Sequence, residues 1–314
     1  MAHGGTDLFA NACGSIVSDP AIEANVPTDV TGGTLVARPV IDRAGNLDVL
    51  FVTSTQPQNV AAALAGQASG TFSQVYLAVS HDKCKTFTDY TVFDGSKLGT
   101  NTVQFGDIFN DLAVDGGGNL YVVGTGFVGT TPFANSANVY LFRSSDRGQK
   151  WQGPTLLGSI SAAHMLPAAT GGARAGELAI GFFRTVNGVT DPNDAHAKWT
   201  YSTAETTNAT ASRPGFLYRD VNPGFVYHSG DICNQGILCG TVPGQPGDRS
   251  LLDFTSAAVD SHGCALFTFA GNPEGVGKGT WNYVTRQQTG CFDATGAQAK
   301  RHKRHKRHRH RRGH

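Results

Sequence analysis

Polar side chains that could bind or transform a ligand stand at the start of several apolar, strand-like runs of this 314-residue chain. An arginine guanidinium pairs with a carboxylate through two parallel hydrogen bonds, and an aspartate or histidine can take or give a proton. Each residue alone could equally be a polar group that satisfies the exposed end of a strand. Brought to one face, they would suit an acidic sugar or another polar ligand. The six residues are Arg38, Asp107, Asp111, His164, Arg249 and Asp253.

Catalysis would need an acid, a base or a nucleophile among such residues. Two tyrosines could be nucleophiles, but none of the four glutamates is clearly placed to activate either of them. We expect neither a metal nor a cofactor, because no cysteine or histidine pattern defines a structured metal site. The catalytic candidates are Asp111, Asp253, Tyr218 and Tyr227, and the ligand-binding candidates are Arg38, Asp107, His164 and Arg249.

Two eight-residue segments match each other, and each follows an apolar strand of the same make. Residues 80–87, the first octapeptide, have the pattern S-x-D-x-C-x-T-F, and residues 144–151, the second octapeptide, have S-x-D-x-G-x-x-W. An aspartate that bonds its own backbone and a residue that tolerates positive φ favour a turn between two strands. Cys84, which replaces the glycine, is a departure from the repeat. The structural positions are Ser80, Asp82, Phe87, Ser144, Asp146, Gly148 and Trp151.

A second repeat consists of an apolar strand, a D-x-x-G turn and another apolar strand, the sequence form of a tight β-hairpin. Copies begin near residues 40, 113 and 258, and a weaker copy runs from 168 to 182. Their glycines lie 58 to 87 residues apart, farther than the ~40–50 residues of compact sheet repeats. Long loops must therefore separate the hairpins. The glycines are Gly45, Gly118, Gly176 and Gly263.

The octapeptides resemble the Asp-box, or BNR, repeat, and the chain is similar there to sialidase-like β-propellers. The resemblance covers residues 34–293 as architecture and implies an all-β propeller whose central funnel binds ligands at its mouth. Residues 1–33 would be an irregular N-terminal segment and residues 294–314 a disordered tail. Four recognisable blades can be written out, at about 34–94, 106–158, 163–230 and 250–293.

The blade number is open. Sialidase-like propellers usually have six blades, so the chain could be part of a larger ring, could close with four blades, or could hide degenerate strands in residues 1–33 and 205–249. The third unit has an outer strand near residues 198–201 but a ruined octapeptide, with Ala204 where the aspartate should stand.

The resemblance also implies a reaction. Sialidases hold the substrate carboxylate with three arginines and use an aspartate acid/base and a tyrosine nucleophile activated by a glutamate. Arg38, Arg184, Arg219 and Arg249 could supply guanidinium groups, but the F-R-I-P element is absent and residues 37–39, A-R-P, are at most a faint echo. We expect a secreted or surface-associated protein that acts on or binds extracellular glycans. The alternative is a non-catalytic scaffold that binds a protein or a polyanion.

Six cysteines favour an oxidising, extracytoplasmic setting, with free thiols in a cytosolic protein as the alternative. Cys233 and Cys239 flank a five-residue loop that a disulfide could close, and Cys264 and Cys291 lie on the predicted inner and outer strands of the last unit, although spacing alone cannot fix the pairing. No signal peptide is visible, which argues against this setting unless the start is truncated or misassigned. No apolar run approaches the ~20 residues of a membrane span.

The charge of the chain is divided unevenly. Residues 300–314 hold nine of the 25 lysines and arginines, so the rest of the chain has 16 basic against 24 acidic residues. Like charges at this density predict a disordered tail that could bind anionic surface polymers in a salt-dependent way. No nucleic-acid-binding fold signature accompanies it, so a dedicated nucleic-acid role is not expected.

Overall fold

A computed structural model describes residues 34–36, 39–53, 74–82, 86–94, 103–104, 110–128, 137–232, 247–251, 255–275 and 278–292. Every regular element in these ranges is a β-strand, which confirms the all-β prediction. A helix of the length and apolarity that a bilayer crossing requires is not found in this part of the chain.

The strands of the described ranges form four antiparallel sheets. The first contains β1 (Thr34–Val36), β2 (Val40–Ile41), β3 (Leu47–Thr53), β4 (Gln74–Ser80) and β5 (Thr88–Asp94). The second contains β6 (Val103–Gln104), β7 (Asn110–Val114), β8 (Leu120–Val128), β9 (Ala137–Ser144) and β10 (Gln152–Leu157). The third contains β11 (His164–Gly171), β12 (Leu178–Thr185), β13 (Lys198–Thr206), β14 (Leu217–Asp220) and β15 (His228–Ser229). The fourth contains β16 (Ser256–Val259), β17 (Ala265–Gly271) and β18 (Trp281–Arg286).

Each sheet is a meander, in which strands that follow one another along the chain lie side by side from one edge of the sheet to the other. In the first two sheets the first position is split into two short strands, and in the third it carries a bulge between Met165 and Ala168. The first strands of neighbouring sheets contact one another, β2 with β7, β7 with β11, and β11 with β16. The sheets are therefore arranged as blades around their first strands, and the predicted β-propeller with four recognisable blades is confirmed.

The four hairpin turns between first and second strands share one backbone conformation. Gly45, Gly118, Gly176 and Gly263 have φ values of 82–84°, a left-handed region in which glycine is favoured. In the three turns that have the aspartate, the glycine N–H donates to the aspartate carbonyl oxygen at 3.0 Å. The repeat found in the sequence thus encodes a turn that requires its glycine.

The two octapeptides join the third and fourth strands of their sheets and share two hydrogen bonds to the aspartate. The hydroxyl of Ser80 donates to Asp82 Oδ1 at 3.0 Å, and the Thr86 N–H donates to the same oxygen at 2.9 Å. In the second octapeptide, Ser144 and the Lys150 N–H donate to Asp146 Oδ1 at 2.8 and 2.9 Å. Cys84 lies outside the described residues.

A third turn of this kind follows β13, and its position as predicted from the sequence was wrong. Ser80 is paired with Leu47, Ser144 with Leu120, and Thr206 with Leu178, which is the equivalent position in each sheet. Thr206 donates to Asn208 Oδ1 at 2.7 Å, so Asn208 and not Ala204 occupies the aspartate position. Because β13 extends to Thr206, Ala204 is instead a buried core residue.

Apolar clusters fill the spaces between neighbouring sheets. The burial of the third strand in each sheet shows how complete this packing is. Every residue of β4 and β9 is buried, as are all residues of β13 except Lys198 and Glu205. The third strand of the fourth sheet differs, since Trp281 is 62% and Val284 70% exposed. The fourth sheet is thus the least covered of the four.

Candidate functional site

A cleft of about 500 Å³ opens at the end of the third sheet that lies opposite to its hairpin turn. One wall is a face of the sheet itself, and the other is the segment of residues 158–162 that joins β10 to β11. Residues directly opposite each other on paired strands point to the same face of a sheet. His164 is paired with Arg184, and Ser202 is paired with Asp220, so the two members of each pair share a face. The polar groups that line the cleft are Ser159, Ser161, His164, Arg184, Ser202, Tyr218, Arg219 and Asp220.

An ion pair at the centre of this wall joins Arg184 to Asp220 across β13. The guanidinium donates from Nη2 to Asp220 Oδ2 at 2.6 Å and from Nε to Oδ1 at 2.9 Å, and Ser202 donates to the same Oδ1 at 2.7 Å. Burial alone would raise the pKa of Asp220, but these bonds and the charge of Arg184 outweigh it and lower the pKa. The guanidinium also donates from Nη1 to the Thr185 carbonyl oxygen at 3.2 Å. The Arg184 and Asp220 side chains are 32% and 24% exposed, so part of this fixed ion pair remains accessible from the cleft.

His164 lies deeper in the cleft and is only 2% exposed. Its ring stands edge-on to Phe182 with centroids 5.5 Å apart, and its Nδ1 lies 3.3 Å from Asn138 Oδ1. Burial, and then the charge of Arg184, lowers the pKa of His164 to about 4. The imidazole is therefore neutral near pH 7 and offers a hydrogen-bonding group without charge.

Tyr218 stands at the rim of the cleft and is 41% exposed. Its hydroxyl oxygen accepts a hydrogen bond from the Gly158 N–H at 3.3 Å, which holds the ring against the facing wall. Of the five sequence candidates that the structure describes, His164 and Tyr218 are the two that lie at this cleft.

Asp111 has a different role in this structure. It is 8% exposed, its Oδ1 accepts from the Leu112 N–H at 2.9 Å, and its Oδ2 accepts from the Ala169 N–H at 2.9 Å. These bonds tie β7 to β11 beside the bulge, so the carboxylate links the first strands of two sheets instead of lining the cleft.

Tyr227 and Arg249 also lie away from the cleft. Tyr227 is 4% exposed and packs edge-on against Phe269 and Tyr283, with ring centroids 4.9 and 4.8 Å apart, and burial raises its pKa. A nucleophile must reach its substrate, so this position argues against Tyr227 as one. Arg249 is exposed, next to Asp248. Arg38, Asp107 and Asp253 lie outside the described residues.

Sequence reasoning missed Asp220 and Ser202, and it named Arg184 only as one of several arginines. The signal that could have found them was the position of charged residues near the ends of the second and fourth strands of the third unit. Most candidates lay at the starts of first strands, whereas in an antiparallel sheet the ends of the second and fourth strands meet at that same edge.

A disulfide joins Cys264, at the start of the second strand of the fourth sheet, to Cys291, beyond its last strand. It is the second of the two pairs that the sequence favoured. Cys13, Cys84, Cys233 and Cys239 lie outside the described residues. Within the described ranges, no three histidine, cysteine, aspartate or glutamate side chains are grouped as a metal ion would require.

No protein-family model and no curated protein sequence matches the chain. Among solved structures, the Hadza microbial sialidase Hz136 is 13% identical with a TM-score of 0.51, over 86% of this chain and 46% of that one. The GH93 α-L-arabinofuranosidase of Fusarium graminearum, in complex with arabinobiose, is 14% identical with a TM-score of 0.45, over 86% and 67%. The NanB sialidase of Streptococcus pneumoniae, as the K499G mutant, is 9% identical with a TM-score of 0.39, over 76% and 28%.

The chain spans less than half the length of the Hadza microbial sialidase. At these identities the likeness concerns the fold, and that fold is a β-propeller of the kind found in glycoside hydrolases.

Proposed function

We propose that this protein is a sialidase-like propeller that binds extracellular glycans in the cleft of the third sheet. The observation that carries the proposal is the set of groups around that cleft, namely two guanidinium groups, an aspartate carboxylate, a neutral imidazole, a tyrosine hydroxyl and three serine hydroxyls. Its volume of about 500 Å³ falls within the ~300–1,000 Å³ of small-molecule sites.

The groups suit an acidic sugar. Arg184 presents a guanidinium whose orientation is fixed by Asp220 and the Thr185 carbonyl oxygen, and a ligand carboxylate can pair with the N–H groups that these acceptors leave. Ser159, Ser161 and the neutral His164 supply donors and acceptors for sugar hydroxyls. A neutral imidazole costs less to keep buried than a charged one.

Binding is better supported than hydrolysis. Tyr218 is the exposed tyrosine of the cleft, and sialidases use a tyrosine nucleophile. Asp220 is the one carboxylate among the described residues of the cleft, and its lowered pKa suits an ion-pair partner or a base better than an acid. We therefore expect glycan binding with or without slow hydrolysis, and assign Tyr218 as the nucleophile if hydrolysis occurs.

Secretion or attachment to the cell surface belongs to the same proposal. The Cys264–Cys291 disulfide is compatible with an oxidising environment. The equal hydrogen bonds of the two octapeptides support their interpretation as Asp-box repeats.

The test is a glycan array with the full chain, followed by calorimetry on the best sialylated or uronic-acid ligand and a panel of fluorogenic glycosides. Arg184→Lys should weaken binding at least tenfold, because a lysine cannot form two parallel bonds. Tyr218→Phe should weaken binding only slightly and abolish any hydrolysis. Arg213→Lys, in the exposed turn after β13, is the matched control and should bind normally.

One outcome of these measurements would overturn the proposal. If Arg184→Lys binds like the unaltered protein while removal of residues 300–314 abolishes binding, the basic tail holds the glycan and the chain is a polyanion-binding scaffold.

A further inference from the structure

A small pocket lies between the octapeptide of the second sheet and the turn that follows β13 of the third sheet, at the end of the molecule away from the cleft. Its volume is about 230 Å³, below the ~300–1,000 Å³ of drug-sized ligand sites. Buried Arg143 lies at its floor, and exposed Ser145, Lys150, Gln152 and Thr210 form its rim. This seam pocket can hold one small group.

The guanidinium of Arg143 reaches from the second sheet to the third. Nε donates to Gln152 Oε1 at 3.2 Å, Nη1 to the Ala209 carbonyl oxygen at 3.4 Å, and Nη2 to the Ser212 carbonyl oxygen at 2.9 Å. A guanidinium has five N–H groups. These three acceptors therefore leave one N–H group on each of the two terminal nitrogens.

Arg143 is buried without a counter-charge. It is only 7% exposed, and all three of its acceptors are neutral. No carboxylate of the described residues forms an ion pair with it, whereas the more exposed Arg184 and Arg286 each have an aspartate partner. Burial lowers the pKa of Arg143, because it disfavours the charged form. A buried cation of this kind is unfavourable unless it is paired, so the position favours an anion in the pocket.

The arginine is specific to this seam and is not part of the repeated turn. Arg143 directly precedes the serine of the second octapeptide. The equivalent residue is Val79 in the first sheet and Glu205 in the third. The same turn is thus built twice without a cation at this position, and its geometry does not explain the arginine.

The rim of the seam pocket adds one cation and one carboxylate. Lys150 is exposed, and the Asp146 side chain also lines the pocket. Asp146 is held by its own turn, because its Oδ1 accepts from the Lys150 N–H at 2.9 Å. Two cations against one carboxylate leave the pocket with one positive charge. The hydroxyls of Ser145 and Thr210 can donate to an anion as well.

We propose that the seam pocket binds a single oxyanion, sulfate or phosphate, either as the free ion or as the ester group of a larger ligand. Arg143 binds it at the floor through the remaining N–H groups of its terminal nitrogens, and Lys150 contacts it from the rim. The planar guanidinium matches the geometry of such oxyanions, and the bound ion balances the buried charge. The proposal does not depend on glycan binding in the cleft.

The direct test is nitrogen NMR of the arginine side chains in the full chain, with inorganic sulfate as the probe at constant ionic strength. The Arg143 Nε–H signal is assigned by its loss in Arg143→Lys. We expect this signal to shift with sulfate and to saturate. The readout is local, so it excludes sulfate bound in the cleft or by residues 300–314. An unmoved signal, or a shift that stays linear in sulfate, would overturn the proposal.

Variants of the rim test the sign of the electrostatic effect. Lys150→Gln removes a cation and should weaken sulfate binding about threefold, whereas Asp146→Asn removes a carboxylate and should strengthen it about threefold. The asparagine should keep the turn, since Asn208 occupies the equivalent position in the third sheet. Lys278→Gln, an exposed lysine outside the pocket, is the control and should bind normally. If the two rim variants bind sulfate as the unaltered protein does, the pocket is not the site.

Two further probes distinguish the source of the oxyanion. Inorganic phosphate and the sulfated sugar N-acetylglucosamine 6-sulfate are titrated against the same Arg143 signal. Equal affinity for sulfate and the sugar sulfate would assign the pocket to a free ion, and tighter binding of the sugar sulfate would assign it to an ester group on a larger ligand. Failure of all three probes to shift the signal would contradict the proposal and leave the cleft proposal untouched.

Discussion

The two ends of the sheets differ in how far their structure follows the sequence repeat. At the turn end, all four sheets use a glycine with φ of 82–84°, and three of them use the same aspartate bonds. At the opposite end, the third sheet carries the Arg184–Asp220 pair and His164, an arrangement that the repeat does not specify. The repeated end thus determines the fold, and the proposed binding site lies where the repeats diverge. Substitutions should follow the same division.

The largest effect is expected from Asp115→Ala at the turn end. The carboxylate of Asp115 is buried and accepts from the Gly176 N–H of the next sheet at 2.6 Å and from the Tyr121 hydroxyl at 2.7 Å. Leaving both donors buried without an acceptor should lower the free energy of unfolding by about 4 kcal/mol, measured by urea unfolding. Asp42→Ala, in the more exposed turn of the first sheet, should cost about 1 kcal/mol. Equal losses would show that contacts between turns do not matter.

Gly116→Ala should come next, at about 3 kcal/mol. A Cβ at Gly116 would lie 1.7 Å from the carbonyl oxygen of Ala173, in the turn of the third sheet, so the backbone would have to shift. Gly215→Ala is the matched control, because a Cβ there meets nothing within 4 Å. If both variants unfold at the same urea concentration, the turns of neighbouring sheets are not in close contact.

His164→Gln tests the cleft end through pH. The folded-state pKa of about 4 lies below the ordinary value of 6.5, so the unfolded chain binds more protons between these values and stability falls as the pH falls. At pH 4.5 the loss should be about 2.5 kcal/mol relative to pH 7. The variant should lose this part of the pH dependence in urea unfolding. A variant with the same acid sensitivity would place its origin elsewhere.

The smallest stability effects should come from Asp82→Ala and Asp146→Ala. Because the two octapeptides share two bonds to the aspartate, both variants should lose about 1 kcal/mol, as measured by thermal unfolding. Asp82→Ala should lose slightly more, since Asp82 Oδ2 also accepts from the Thr86 hydroxyl at 2.7 Å. A difference between them well above that size would mean that Cys84 changes the first octapeptide, and the rule of equal turns would then fail.

The fold could be predicted from local patterns because its turns are local. A D-x-x-G turn closes within a few residues, and both its aspartate and its glycine are visible in the sequence. The turn after β13 was misplaced by four residues, since its threonine and asparagine no longer match the pattern and only strand register reveals the equivalence.

The candidate site could be predicted only in part, because it depends on register and burial. Arg184 and Asp220 are brought together across β13, a strand whose pairing no local pattern specifies. Asp111 and Tyr227 stand at positions like those of His164 and Tyr218 in the sequence, yet the packing of neighbouring sheets buries them. His164 was found because it begins a first strand.

The Cys264–Cys291 disulfide lies in the sheet whose packing is thinnest. Among the described residues, β18 is hydrogen-bonded on one side only, to β17, whereas β4, β9 and β13 are flanked on both sides. Local opening and amide exchange should therefore start at this edge and spread inward. The covalent bond joins the turn of the sheet's inner hairpin, at Cys264, to the segment beyond β18, so it limits how far that opening can proceed. The chain is thus crosslinked where non-covalent cohesion is weakest, and an excursion at the edge need not become global unfolding.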